Sequence, residues 1–173
     1  LHILSCPVCH SSLKFEGSSS TERIIRGHLQ CLNGHLYQVK DEIPILKDPK
    51  LSSNEFVWKV EFPNLQRYEE IQRQYASFLS EEQKEADKLM MKKLVGTVAE
   101  EKLVLDIASG MGRLLIALSK NIGKETEILG TDVDETPFRG AKLKLEEEKT
   151  YVNVSLCVMD GKHLAIKPRT LSC

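Results

Sequence analysis

Two spacings of apolar residues alternate along the C-terminal two-fifths of this chain. From Leu103, the run Leu-Val-Leu-Asp-Ile reads as a short strand, apolar enough to be covered on both faces. Leu114, Leu115, Ala117 and Leu118 then recur at helical spacing, and Asn121-Ile122-Gly123 stops that helix. Glu127 to Asp132 reads as a second strand, and either Asp134 or Thr136 caps the next helix, with Pro137 in its first turn. Ala141, Leu143 and Leu145 continue that helix, and Val152 to Met159 forms a third strand. This order predicts an α/β domain on a parallel sheet with three assignable strands. Upstream, residues 66 to 98 read as one or two helices with Ile71, Tyr75, Phe78, Leu79, Leu89, Met90 and Leu94 on one packed face.

Between the first strand and its helix lie Asp106, Ala108, Ser109, Gly110, Met111 and Gly112. The two glycines let the backbone turn tightly and approach a ligand that a Cβ would exclude, although a bare βα turn would use them in the same way. A dinucleotide fingerprint asks for a third glycine where this chain has Leu115, so a pyrophosphate ligand fits poorly. Asp106 at the strand's end would repel a phosphate and suits an ammonium group. Asp132, ending the second strand, stands where nucleotide-binding folds hold a ribose diol. The pattern Asp-x-Ala-x-Gly-x-Gly resembles motif I of class I S-adenosylmethionine (SAM) methyltransferases. That resemblance implies a partial Rossmann-like methyltransferase sheet and SAM as cofactor. It implies that Asp160, followed by Gly161, accepts from the adenine amino group, while Val133 and Met159 flank the ring. The expected cofactor-binding set is therefore Asp106, Ala108, Ser109, Gly110, Gly112, Asp132, Val133, Met159, Asp160 and Gly161.

The N-terminal end carries different chemistry. Cys6-Pro7-Val8-Cys9 and Cys31-Leu32-Asn33-Gly34-His35 form C-x2-C and C-x3-H pairs separated by enough chain for a hairpin. Cys6, Cys9, Cys31 and His35 together suit a closed, tetrahedral, structural zinc site. His10 and His28 break the knuckle spacing and are expected at the surface, while Cys157 is expected in the core and Cys173 is uninformative. With Ile43-Pro44-Ile45-Leu46, this segment resembles the zinc-ribbon domain named for the activator subunit of tRNA methyltransferases. The same ribbon is found ahead of SAM methyltransferase domains, including large-subunit rRNA guanine methyltransferases. Glu42 departs from the glycine common before the Ile-Pro step, so a reshaped turn is expected there.

The expected organisation is a zinc ribbon over residues 1–48, a linker over 49–65, a helical lid or linker segment over 66–98, and the N-terminal part of a SAM-binding domain over 99–173. Tyr68 or Tyr75 would serve the lid, and Trp58 and Phe62 would pack the ribbon against the main domain. Net charge is −1, and residues 1 to 50 hold six Lys or Arg against five acids, which gives no basic field for nucleic acid. The absence of a leader or a membrane-length apolar run in these residues makes a cytoplasmic location the expectation. Only three strands precede Cys173 and the first residue is Leu, so a fragment or shortened form is expected, with strand one exposed to a protein partner or self-association. Such a chain should be poorly stable or catalytically silent. No catalytic base can be named, and His163 reads as a loop residue. The favoured function is SAM-dependent methyl transfer with a ribbon that recognises substrate, RNA being one class. The alternatives are a small-molecule acceptor, or a non-catalytic adaptor that binds a protein partner.

Overall fold

A computed structural model describes residues 2–20, 23–48, 50 and 61–171. In chain order the elements are β1 (Leu13–Ser19), β2 (Ile24–Cys31), β3 (Leu36–Lys40), β4 (Ile43–Leu46), α1 (Leu65–Ser77), α2 (Glu81–Val98), β5 (Leu103–Ile107), α3 (Arg113–Asn121), β6 (Glu127–Asp132), α4 (Thr136–Glu147) and β7 (Val154–Met159). The fold is α/β, with a mixed seven-stranded sheet in the order β1-β2-β3-β4-β7-β6-β5. The described residues divide into two compact units. One comprises 1–57, 131–135 and 156–173, the other 58–130 and 136–155.

In the first unit, β1, β2 and β3 pair antiparallel in sequence, and β3 turns into β4 through Asp41 and Glu42 alone. Both turn residues have positive φ, 50° and 70°, with Lys40 paired to Ile43 across them. This is the backbone of a type I′ hairpin, which matches the twist of its strands but favours glycine at the second position. Glu42 therefore holds a left-handed backbone at a conformational cost. Beyond it, β4 pairs in parallel with β7, with Ile45 opposite Val158 and Leu46 opposite Met159. The N-terminus is tied to the same region: the Ser5 N–H donates to the Ala165 carbonyl and the Lys167 N–H to that of Ile3, each at 2.9 Å. Residues expected to form a separate ribbon thus share a unit with 131–135 and 156–171.

The second unit holds the helices and the first parts of the parallel strands. The Glu127 N–H donates to the Lys102 carbonyl and the Ile128 N–H to the Asn153 carbonyl, each at 2.9 Å, so β5, β6 and β7 begin side by side and run the same way. One expectation is corrected. Far from being covered on both faces, β5 has only Val104 buried, and Ile107 is 50% exposed. As the last strand of the sheet among the described residues, β5 has a neighbouring strand on one side only.

The helical segment also differs from expectation. It forms two helices, α1 started by the Asn64 side chain accepting from the Arg67 N–H, and α2 by a capping box of Ser80 and Gln83. Of the apolar positions expected on one packed face, only Ile71 is buried, while Tyr75, Phe78, Leu79, Leu89, Met90 and Leu94 are exposed. The buried residues of this segment lie in the first turns of α1, where Tyr68 and Ile71 cluster with Phe62 and Met111, while α2 buries no residue fully. Phe62 packs inside the helical unit, against Tyr68 at a ring separation of 6.0 Å. Trp58 lies outside the described residues.

Replacing Glu42 by glycine should relieve the left-handed backbone at the second turn position and stabilise the protein by about 1 kcal/mol, against the small entropy cost of glycine in the unfolded chain. Denaturant melts of wild type and Glu42→Gly would show this as a higher midpoint at unchanged slope.

Candidate metal centre and cofactor-binding strands

Two tight knuckles bring the N-terminal cysteines and histidine together. In the first, the His10 N–H returns to the Cys6 carbonyl at 2.9 Å; in the second, the Gly34 N–H returns to the Cys31 carbonyl at 3.0 Å. The β1–β2 hairpin spans the chain between them, and one ligand atom each from Cys6, Cys9, Cys31 and His35 lies within 4.8 Å of all the others. Cys9 Sγ is 3.7 Å from Cys31 Sγ, and His35 Nδ1 is 3.6, 3.7 and 3.2 Å from Cys6, Cys9 and Cys31. A zinc ion with Zn–S near 2.3 Å and Zn–N near 2.0 Å makes tetrahedron edges of about 3.8 Å between sulfurs and about 3.6 Å from sulfur to nitrogen. The edges of 3.2 to 3.7 Å come close to those dimensions and every pair lies within 4.8 Å, so the residues fit zinc. His10 and His28 stand outside it and are exposed.

Neighbouring groups prepare the thiols. Tyr37 Oη is 3.1 Å from Cys6 Sγ, Ser11 Oγ is 3.2 Å from Cys9 Sγ, and the His35 N–H donates to Cys31 Sγ at 3.3 Å. The Ser11 hydroxyl and backbone hold the Cys9 thiol down to about 5, which favours the thiolate that binds metal. Burial pushes the Cys6 thiol up, and burial followed by the bond to Cys6 pushes the Tyr37 phenol up, so Tyr37 stays a donor. For Cys31, burial acts to raise the thiol, but bonds from His35 outweigh it and bring it below its ordinary value.

In the helical unit, the loop after β5 has the shape a close ligand requires. Ala108, Gly110 and Gly112 all take positive φ, at 60°, 53° and 74°. A Cβ on Gly110 would meet nothing within 4 Å, so open space lies above that peptide. A Cβ on Gly112 would come within 2.7 Å of the Ala141 Cβ, so this glycine serves the packing of α3 on α4. Ser109 Oγ donates to the Asp106 carbonyl at 2.9 Å, and the Gly112 N–H to the Ser109 carbonyl at 2.9 Å, closing the loop on itself.

The residues that end or follow β6 and β7 lie in the first unit. Asp132 is the last residue of β6 and is 9% exposed; its Oδ1 accepts the Asp134 N–H at 3.1 Å. Val133 is half-buried, with its carbonyl held by Lys47 Nζ at 2.9 Å. Met159 closes β7 and is fully buried, Asp160 follows it half-buried, and Gly161 and His163 are exposed. Asp160 Oδ1 accepts the Lys162 N–H at 2.9 Å.

Several contributing residues carry no motif. Gly130 is one: a Cβ there would meet Leu115 Cδ1 at 2.4 Å and Ser109 Oγ at 3.2 Å. The close approach of helix to strand that a third loop glycine would provide is made here by a glycine on the strand beneath a leucine on the helix. Tyr68 is another, buried on α1 with its hydroxyl donating to the Met111 carbonyl at 2.8 Å, whereas Tyr75 is exposed. A glycine inside an apolar strand was the one signal that could have marked Gly130.

Residues 104–173 match the family described as a methyltransferase domain, a stretch that holds the rest of the loop and both downstream acids. No curated protein matches the sequence. Among solved structures, a methyltransferase from Geobacter sulfurreducens is similar at 19% identity and a TM-score of 0.42, covering 61% of this chain and 51% of that one. The N-terminal domain of human METTL16 is similar at 21% identity and a TM-score of 0.32, covering 47% and 33%. The chain spans about half the length of the first of these.

Purified protein should carry one zinc by elemental analysis, and Cys31→Ser should lose most of it. Tyr37→Phe should keep the site but weaken metal affinity by about tenfold, because the Cys6 thiolate loses its donor. In the helical unit, Tyr68→Phe should destabilise the protein by about 1 kcal/mol through the orphaned Met111 carbonyl, read from denaturant melts.

Proposed function

We propose that this chain binds SAM for methyl transfer, with a structural zinc in the Cys6-Cys9-Cys31-His35 cluster. The observation that carries the cofactor reading is the open cradle over Gly110 in a loop that lies within the residues matching a methyltransferase domain. In the α/β folds that bind nucleotides, ligands lie beyond the carboxyl ends of the strands, and Asp106, Asp132 and Asp160 each stand at or just past such an end. Asp106 supplies negative charge for the cofactor's ammonium, Asp132 accepts from the ribose hydroxyls, and Asp160 from the adenine amino group. Ala108, Ser109, Gly110 and Gly112 bring backbone close to the amino-acid tail, Val133 offers an apolar edge to the ring, and Met159 and Gly161 complete the turn around Asp160.

When bound, SAM supplies an electrophilic sulfonium methyl group: the acceptor's electron pair forms the new bond as the carbon–sulfur bond breaks, releasing S-adenosylhomocysteine. The chain's own contribution is orientation of the donor, the kind of positioning that removes much of the entropic barrier to an in-line displacement. For the acceptor we propose structured RNA recognised through the ribbon, on the strength of the ribbon resemblance. The near-neutral charge of the first fifty residues favours a second reading, a small-molecule acceptor.

Titration calorimetry with S-adenosylhomocysteine should show one saturable site, weakened about 10- to 100-fold in Asp132→Ala through loss of charge-assisted hydrogen bonds. The absence of saturable heat in the wild type would leave the adaptor reading in its place. A steep fall of RNA affinity with salt would support the RNA acceptor, and no RNA binding would support the small molecule.

A further inference from the structure

We infer that Lys47, carried on the ribbon just beyond β4, is a positioning residue for the cofactor's ribose and acts through Asp132. The inference rests on the SAM reading above and deepens it: the metal-bearing segment would then do more than recognise an acceptor, because it supplies a brace for the donor site.

One peptide unit links Lys47 to Asp132. Lys47 Nζ donates to the Val133 carbonyl at 2.9 Å, and the Asp134 N–H donates to Asp132 Oδ1 at 3.1 Å. That carbonyl and that N–H belong to the same peptide bond, between Val133 and Asp134. A peptide bond is planar and rigid, so its oxygen and its N–H point in opposite directions and turn together. The ammonium grips one side of the plane and the carboxylate receives the other. Rotating the carbonyl away from Lys47 necessarily swings the N–H away from Asp132.

The surrounding contacts show why the lysine stands at that point. Leu46, its neighbour, is fully buried and pairs with Met159 in the parallel β4–β7 ladder, which fixes the backbone from which Lys47 projects. Lys40, across the β3–β4 hairpin, lies 3.6 Å from Glu135, a more exposed pair that adds little holding force. The three residues after Asp132 are thus each engaged: Val133 by Lys47, Asp134 by Asp132, and Glu135 by Lys40. Of these, the bond from Lys47 is the charge-assisted one on a half-buried backbone carbonyl, and it sets the orientation of the carboxylate.

The test measures binding of S-adenosylhomocysteine and of 5′-methylthioadenosine, which keeps the nucleoside and lacks the amino-acid tail, to full-length wild type, Lys47→Met and Lys47→Arg. Metal content and melting temperature are recorded for each. In Lys47→Met both affinities should fall by the same factor, about tenfold, as expected for loss of one charge-assisted hydrogen bond. Lys47→Arg, which keeps a cationic donor, should stay within about threefold of wild type. Unchanged affinity in Lys47→Met, a loss confined to the ligand with the amino-acid tail, or an equal loss in both variants would overturn the inference. Wild type that binds neither ligand would overturn the SAM reading itself, an outcome distinct from wild type that binds and a methionine variant that binds equally well.

Discussion

The parallel pairing of β4 with β7 is the constraint on which the rest of this structure depends. Ile45 opposite Val158 and Leu46 opposite Met159 join the segment that carries the Cys/His cluster to a strand of the α/β sheet. Parallel strands need a long crossover, and here the crossover is nearly the whole middle of the chain, so the pairing closes a loop of more than a hundred residues. A loop of that size is entropically costly. Further long-range hydrogen bonds, from Ser5 to Ala165 and from Lys167 to Ile3, supplement the pairing beside the knuckle at Cys6.

The helical unit solves a separate packing problem. A βα turn that admits a ligand must bring helix and strand close together while leaving space above the loop. This chain places the bulk on the helix, at Leu115, and removes it from the strand, at Gly130. Gly112 does the same for α3 against α4, while Tyr68 reaches from α1 to secure the Met111 carbonyl. The loop is thereby held from below and from the side, and the space over Gly110 stays open.

Much of this was legible in the residues. The clustering of Cys6, Cys9, Cys31 and His35 was readable because knuckle spacing is set by the local turn, which needs no knowledge of the rest of the fold. The strand and helix order over β5 to β7 was readable for the same reason: each period is local. What the sequence concealed was long-range. Nothing in Ile43-Pro44-Ile45-Leu46 announces a partner more than a hundred residues away, and nothing near Lys47 points to Val133. Apolar spacing misled over α1 and α2, since a helical stripe records capacity for burial and says nothing about whether a neighbour is there to provide it. The expected coverage of β5 failed similarly, because an apolar strand reads alike at the centre of a sheet and at its edge. At Glu42 the absence of the usual glycine marked a residue that takes left-handed backbone all the same.

The central claim is that the metal cluster and the strand ends of β4 and β7 form one cooperative unit. Native-state hydrogen exchange tests it most directly, by comparing the amides of Val158 and Met159 in zinc-loaded protein and after chelation. The account predicts that removing the metal strips protection from these amides together with those of β2 and β3. Protection that persists in β7 while the hairpin strands exchange freely would contradict it, since the metal segment would then be an appendage and not part of the same folding unit.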